Sequence, residues 1–242
     1  SLPKIDIWRM FTDSQKNLWI GSYDQGYEVA YNYKRNFNSN NNLQTYMKNK
    51  SVFSVAMGKD NSLWMLTLRD GLYRYDFERQ EIQKINLNQF LTEEKKEQTL
   101  ANQVFVDTDN NIWIVTPHNE TWLCSYEQNK LQIKKRFNIP MGMSITQDQD
   151  KTIWIGSASP LVYCIDTNLE MKSINILDSN NKFTYTFIPG ITPLHNNKIM
   201  VSAFALPIKL IDKNNHAIED IPISQEDYKN CIRRSVIIPT AI

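Results

Sequence analysis

One short pattern of residues occurs five times along this chain, and its spacing constrains the fold more than any other feature. Each copy has a large side chain at its centre, tryptophan in four copies and methionine in the fifth: Asn17-Leu18-Trp19-Ile20-Gly21, Ser62-Leu63-Trp64-Met65-Leu66, Asn111-Ile112-Trp113-Ile114-Val115, Thr152-Ile153-Trp154-Ile155-Gly156 and Lys198-Ile199-Met200-Val201-Ser202. The central residues are separated by 45, 49, 41 and 46 positions. A self-similar period of roughly 40–45 residues indicates one supersecondary unit that is repeated along the chain.

The second copy of the repeat indicates what this unit is. Apolar and alternating runs predict four strands, at 51–57, 63–67, 72–76 and 81–87, and residues rich in Asp, Asn and Gly separate them. Four short antiparallel strands per repeat form a propeller blade. The sequence therefore predicts an all-β fold, a β-propeller with about five blades and a partial sixth, as a fragment of a larger propeller.

The predicted propeller segment extends over the whole chain, 1–242, with blades at approximately 5–45, 46–90, 100–140, 141–178 and 188–223 and a partial sixth at 235–242. Helical segments are predicted at 92–97 and 225–233, and a polar loop at 38–42. An open array leaves unpaired strand edges and apolar surface at its ends. We therefore expect either ring closure within the chain or a homodimer.

The composition argues against several classes of protein. The chain contains 27 Lys and Arg against 26 Asp and Glu, and this balance predicts no basic surface for nucleic acid. No stretch approaches the roughly 18–20 apolar residues that span a bilayer, so we expect membrane attachment only through segments outside this chain. The three cysteines cannot pair completely, and Cys124, Cys164 and Cys231 are predicted to be packing thiols.

Neither a metal site nor a cofactor site is predicted. The three histidines, His118, His195 and His216, do not have the spacing of metal ligands. Residues 107–111 begin like a calcium loop, but the glycine and the glutamate that such a loop needs further on are missing. An Asx turn, in which an Asp or Asn side chain bonds the following backbone, explains this run.

The repeat resembles the two-component regulator propeller repeat, in which an Asp-containing turn precedes Leu-Trp-Ile-Gly, and Gly-Leu-Tyr-x-Tyr-Asp follows after a gap. The best instance is 60–76, with 13–31 and 150–166 close to it, and the resemblance extends over roughly residues 6–242. It implies the periplasmic sensor region of a hybrid two-component system of Bacteroidetes, which responds to oligosaccharides released from glycans. It also implies a chain without catalysis, because no kinase or receiver segment is present.

The loops at one end of each predicted sheet vary from blade to blade, whereas the turns at the other end do not. Loops between second and third strands differ in composition, while turns between first and second strands are uniformly rich in Asp and Asn. Recognition usually takes place at variable loops on a rigid scaffold. We therefore expect an oligosaccharide to bind at these loops, with hydrogen bonds from Asp24, Arg69, His118 and Glu120 and stacking on Tyr23 and Trp122.

The tryptophans of the repeat are predicted to be structural. A residue that is required in every blade is expected to pack between blades. We therefore do not expect a sugar to stack on the tryptophans of the repeat, Trp19, Trp64, Trp113 and Trp154.

Two other functions stay open at this stage, a propeller enzyme and a scaffold for protein assembly. The enzyme would be a sialidase-like glycosidase or a lyase of the streptogramin-lyase type. A sialidase box places Asp five residues before Trp, but Asp60, Asp109 and Asp150 lie four residues before it. A glycosidase also needs two facing carboxylates, and no convincing pair is present. A lyase would need a histidine and a metal at the variable loops, where only His118 is eligible.

Overall fold

The computed structural model describes residues 7–12, 16–22, 27–30, 41–68, 70–91, 101–177, 186–204 and 206–221. Within these residues the chain forms five antiparallel sheets, each with its strands in sequence order. The first sheet has three strands and the other four have four strands each. This arrangement confirms the all-β fold built from four-stranded blades.

We call the five sheets blades 1 to 5, in chain order. Blade 1 contains β1 (Ile7–Thr12), β2 (Leu18–Ser22) and β3 (Tyr27–Ala30). Blade 2 contains β4 (Val52–Met57), β5 (Ser62–Thr67), β6 (Gly71–Asp76) and β7 (Glu81–Ile85). Blade 3 contains β8 (Gln103–Val106), β9 (Ile112–Val115), β10 (Thr121–Glu127) and β11 (Lys130–Phe137). Blade 4 contains β12 (Gly142–Gln147), β13 (Ile153–Ser157), β14 (Leu161–Ile165) and β15 (Met171–Asn175). Blade 5 contains β16 (Gly190–Pro193), β17 (Lys198–Ser202), β18 (Lys209–Asp212) and β19 (Ile218–Asp220).

Two short helices lie in the connections between blades. The α-helix α1 (Asn41–Met47) precedes blade 2, and a 3-10 helix (Leu87–Phe90) follows it. The polar loop predicted at 38–42 is wrong from Asn41 onward, because Leu43 and Met47, four residues apart, bury one face of α1. The predicted helical segments 92–97 and 225–233, the sixth blade at 235–242 and Cys231 lie outside the described residues.

The chain divides into two compact units, residues 1–142 and residues 143–242. In the first unit, a core between blades 2 and 3 contains Trp64, Leu66, Ile114 and Trp122. The core of the second unit contains Trp154, Val162, Ile174, Ile199 and Ile211. Burying apolar side chains between adjacent sheets covers both faces of a blade, as in any layered fold.

A serine ten residues before the tryptophan joins neighbouring blades in both units. Ser54 Oγ donates to the carbonyl of Val104 at 3.2 Å in the first unit. Ser144 Oγ donates to the carbonyl of Ile188 at 2.8 Å in the second. Because both serines are buried, each bond also satisfies a polar group that water does not reach.

The tryptophans of the repeat are buried, as predicted for structural residues: Trp19, Trp64, Trp113 and Trp154. Trp113 Nε1 donates to Asp107 Oδ2 at 2.9 Å, and Trp154 Nε1 donates to Asp148 Oδ2 at the same distance. A buried indole N–H needs such an acceptor. The acceptor lies six residues before the tryptophan, not four as the sequence pattern emphasised.

The same two carboxylates organise the turns between the first and second strands. Asp107 Oδ1 accepts from the backbone N–H groups of Asp109 and Asn111, both at 2.9 Å, so the predicted Asx turn is confirmed. In blade 2, Gly58 stands at the corresponding position. A Cβ there would lie 2.3 Å from Asp60 Oδ1, so the side chain of Asp60 occupies that space and bonds the Ser62 hydroxyl at 2.6 Å.

One backbone conformation recurs three residues before the centre of every repeat. This position has a positive φ, between 55° and 65°, in all five blades: Lys16, Asn61, Asn110, Lys151 and Asn197. Asn tolerates the left-handed region better than most residues because its side chain bonds the local backbone. Three of the five blades therefore have a residue there that suits this conformation, whereas lysine adopts it in blades 1 and 4.

Among the described residues, no helix combines the length and the apolar character that a membrane crossing requires.

Candidate functional site

Each blade has two ends, which differ in the segments that connect its strands. We call the end with the loop between second and third strands the loop end, and the opposite end the turn end. Of the predicted ligand-contacting residues, His118, Glu120 and Trp122 lie at or beside the β9–β10 loop, at the loop end of blade 3. The other three, Tyr23, Asp24 and Arg69, lie outside the described residues.

A buried hydroxyl shapes the β9–β10 loop. Thr116 Oγ1 lies 2.9 Å from the His118 carbonyl and 2.6 Å from the Glu120 carbonyl, and it accepts from the His118 N–H at 3.1 Å. His118 is only 8% exposed. The predicted role of His118 as a surface donor therefore has no support in this conformation, because its side chain packs inside the loop.

Trp122 is fully buried, with 0% exposure, so its predicted role as a stacking surface is wrong for this structure. Its ring is packed edge-on by Phe90, with the centroids 5.9 Å apart. The guanidinium of Arg136 lies 5.2 Å from its centroid. The third strand places this ring in the core between blades, as it does the ring of Tyr73 in blade 2.

Glu120 and Arg136 form the polar surface at the loop end of blade 3. Glu120 Oε2 accepts from Trp122 Nε1 at 2.8 Å and from Arg136 Nη1. Arg136 Nη2 donates to the Phe90 carbonyl at 2.9 Å. Both charged side chains are partly exposed, so a buried ring and the backbone hold them at the surface.

The loop end of blade 2 has a richer group of side chains, which we call the blade-2 cluster: Tyr46, Lys50, Asp70, Tyr73 and Lys84. Asp70 Oδ2 accepts from Lys50 Nζ and, at 2.8 Å, from the Tyr73 hydroxyl. Asp70 Oδ1 accepts from Lys84 Nζ at 2.9 Å. The ammonium groups of Lys50 and Lys84 lie 5.6 and 5.8 Å from the centroid of the Tyr73 ring. One carboxylate thus joins two cations around a buried aromatic ring.

These contacts determine the charges of the blade-2 cluster. Hydrogen bonds from Lys50, Lys84 and Tyr73 hold the pKa of the Asp70 carboxyl well below its usual range. Burial, and then the hydrogen bond to Asp70, raise the pKa of the Tyr73 phenol. At neutral pH the cluster therefore carries two positive charges and one negative charge.

We expect the contribution of Asp70 to stability to depend on pH. Because the folded state lowers its pKa, the contribution is complete above the unfolded value of about 3.9 and is lost as the pH falls below it. The free energy of unfolding of the wild type should exceed that of Asp70→Asn at pH 7, and this difference should shrink between pH 4 and pH 2.5. Urea titrations at several pH values measure it, and a difference that does not change with pH would contradict the assignment.

Lys84 and Arg136 were missed by the sequence reading, although strand register carried a signal for both. Lys84 lies opposite Tyr73 in the β6–β7 pair, and Arg136 lies opposite Trp122 in the β10–β11 pair. Each basic residue is therefore at the same place on a fourth strand, next to the aromatic residue of the third strand. The exposed fourth strand looks merely amphipathic in sequence, so this equivalence emerges only from the pairing.

The turn end of the second unit contains a cleft of about 190 Å³ between blades 4 and 5. Its lining includes Asp148, Asp150, Asp166, Lys172 and Lys213. Lys213 Nζ lies 3.1 Å from Asp148 Oδ2 and also bonds Asp150. Burial alone would lower the pKa of Lys213, but the hydrogen bonds to the two carboxylates outweigh it and raise the pKa. The charges at the centre of this cleft are therefore paired with one another.

The described residues contain no group of three or more His, Cys, Asp or Glu side chains arranged to hold a metal ion. Cys124 and Cys164 are free and buried, as predicted for packing thiols. Burial raises the pKa of the Cys124 thiol to about 12, and burial also raises the pKa of Cys164. Neither thiol has the lowered pKa of a reactive cysteine.

Comparison with known proteins identifies the repeat. Residues 1–24 match the sequence model of the two component regulator propeller family. No curated protein matches the sequence of this chain.

Several solved structures share the fold. Two of them are structures of the extracellular domain of BT4673 from B. thetaiotaomicron, which is described as a one-component system in one and as a hybrid two-component system in the other. The first has a TM-score of 0.69 and 18% sequence identity, and the match covers 89% of this chain. The chain spans only 30% of the length of that domain.

Virginiamycin B lyase from Staphylococcus aureus matches with a TM-score of 0.68 and 14% identity, covering 93% of this chain and 73% of the lyase. PorZ from Porphyromonas gingivalis, a surface component of the type-IX secretion system, has a TM-score of 0.61 and 12% identity, covering 90% of this chain and 26% of PorZ. At these identities the similarity concerns the fold. The resemblance stated from the repeat is confirmed: the chain is a β-propeller that carries a two-component regulator propeller repeat at residues 1–24.

Proposed function

We propose that this chain is a non-catalytic recognition segment of an extracytoplasmic sensor, and that the loop ends of its blades bind a glycan-derived oligosaccharide. The sensor would be the periplasmic part of a hybrid two-component receptor, whose membrane span and kinase lie in other segments.

The observation that carries this proposal is the group of charged and aromatic side chains at the loop end of the first unit. At the loop end, partly exposed charged groups surround aromatic rings, with Lys84, Asp70, Arg136 and Glu120 at the surface. Exposed charged donors and acceptors bind sugar hydroxyls, and the half-exposed ring of Tyr46 offers a surface for the face of a sugar ring.

The comparisons support the receptor assignment at the level of family and fold. The matching repeat belongs to regulator propellers, and the BT4673 domain is extracellular. The oligosaccharide, the periplasmic location and the receptor architecture are proposals for this chain.

A second candidate function, elimination by a lyase, has the fold of virginiamycin B lyase in its favour. It would need a histidine able to reach substrate at the loop end. His118, the residue eligible by sequence, is packed inside the β9–β10 loop. We therefore favour binding without chemistry, and the experiment below includes an assay for turnover.

Calorimetry of the 242-residue chain with a panel of oligosaccharides tests the proposal. Arg136→Gln and Lys134→Gln form a matched pair, because each removes one positive charge from β11. Arg136 lies at the loop end, whereas Lys134 bonds Asn111 at the turn end at 3.0 Å. We expect Arg136→Gln to weaken binding about tenfold, the effect of losing one charge-assisted hydrogen bond. Lys134→Gln should bind like the wild type.

Equal affinities of the two variants would show that the oligosaccharide does not bind at the loop end. Absence of binding across the panel would contradict the sensor proposal. Cleavage or elimination of any oligosaccharide in the panel by the wild type would show that the chain is an enzyme and contradict the proposal of binding without chemistry.

A further inference from the structure

We infer that the blade-2 cluster is a subsite for the carboxylate of an acidic sugar, such as a uronic acid residue, and that Asp70 occupies the place of this carboxylate in the free protein. The inference rests on the proposed function and names the class of saccharide that the loop end recognises.

The charge balance of the cluster is the first argument. Among the residues that the structure describes, Lys50 and Lys84 share a single carboxylate, that of Asp70, so one positive charge is in excess. Lys84 donates one of its three N–H groups to Asp70, and its side chain is 48% exposed. An anion from solvent can therefore reach the two ammonium groups and compete with Asp70 for them.

The second argument is the presence of an aromatic surface beside the cations. Tyr46 is 45% exposed, and its ring meets the buried ring of Tyr73 edge-on with the centroids 5.9 Å apart. The ammonium group of Lys50 lies 6.0 Å from the centroid of Tyr46. A sugar ring that stacks on Tyr46 would thus place its substituents beside Lys50. A simple anion would not stack on this ring, whereas a sugar ring can, and we therefore infer an acidic saccharide.

Asp70 is placed to be exchanged for a ligand. Its side chain is 38% exposed, so water reaches it and the ion pairs are only weakly desolvated. It belongs to the β5–β6 loop and not to a strand, so it can move without breaking a sheet. A ligand carboxylate would accept the hydrogen bonds that Lys50 and Lys84 now donate to Asp70.

The test compares two oligosaccharides of equal length, one of galacturonic acid and one of galactose, by calorimetry with the 242-residue chain. We expect the acidic oligosaccharide to bind at least tenfold more tightly, and its advantage to shrink as the salt concentration rises. Asp70→Asn removes the internal competitor and should tighten binding of the acidic oligosaccharide alone. Lys84→Gln should weaken it about tenfold, while Lys134→Gln, the matched loss of a charge elsewhere, should not.

The other outcomes separate this inference from the proposed function. Tight binding of the neutral oligosaccharide with no preference for the acidic one would overturn the inference and leave the sensor proposal standing. Absence of binding of both would overturn both. Free acetate or galacturonic acid monomer binding as tightly as the oligosaccharide would reduce the subsite to an anion site and overturn the saccharide assignment.

Discussion

Asp148→Ala is expected to destabilise the second unit by about 3 kcal/mol, although the residue lies in a turn. Its carboxylate accepts from the N–H groups of Asp150 and Thr152 at 2.9 and 3.0 Å, from the Trp154 indole at 2.9 Å and from Lys213 at 3.1 Å. Removal leaves a buried indole N–H without its acceptor and a largely buried ammonium with one carboxylate fewer. Urea-induced unfolding measures the loss.

Asp150 provides the matched control, because it also pairs with Lys213 but its side chain is 70% exposed, against 2% for Asp148. Asp150→Ala should cost at most about 1 kcal/mol, as exposed ion pairs do. Asp148→Asn, which keeps an acceptor for the turn but loses the charge, should fall between the two. Equal losses for the two alanine variants would mean that burial does not decide the strength of these contacts.

Trp113→Ala is expected to lower the free energy of unfolding by about 3–5 kcal/mol. The side chain is buried, its ring stacks on Phe137 with the centroids 5.6 Å apart, and its indole N–H bonds Asp107. The substitution leaves a cavity and removes one of the hydrogen bonds that the Asp107 carboxylate accepts. Thermal and urea unfolding measure the effect.

Two variants separate the contributions within this prediction. Trp113→Phe keeps an aromatic ring but removes the hydrogen bond to Asp107, so we expect a smaller loss. Met141→Ala truncates a large but half-exposed side chain and should change stability by less than about 0.5 kcal/mol. A Trp113→Ala protein of normal stability that no longer binds oligosaccharide would show that this ring acts as a sugar platform and not as packing.

The repeat was readable from sequence because its signals are local. Strand alternation, the spacing of the central residue and Asp-Asn turns depend on neighbours within a few positions, and the five sheets follow them. Even the glycine two residues after Trp154 has a structural reason. A Cβ at Gly156 would lie 2.5 Å from Ser144 Oγ and 2.7 Å from the Ile188 carbonyl. The reason itself, however, lies in segments that are distant in sequence.

The candidate site was less readable. Reading loops as the place of recognition placed the blade-3 residues at the loop end, but it could not tell which side chains face solvent. His118 and Trp122 are turned into the packing, whereas Tyr46, at a helix that the sequence did not predict, is exposed. The exposure of a side chain depends on which other segments pack against it, and the sequence of one segment does not contain that information.

Taken alone, the sequence determines that this protein is built from repeated four-stranded sheets with Asx turns, because these features are set by residues close together in the chain. It also indicates that the tryptophans are structural, because they recur at one position of the repeat. The tertiary structure alone decides which charges meet. Lys50, Asp70 and Lys84 come from the segment before β4, the β5–β6 loop and the end of β7, up to 34 positions apart, and they converge only when β4 to β7 pair. The reach of Lys213 to Asp148 likewise depends on two blades packing side by side. Long-range charge contacts follow from strand register and blade packing, which no local pattern encodes.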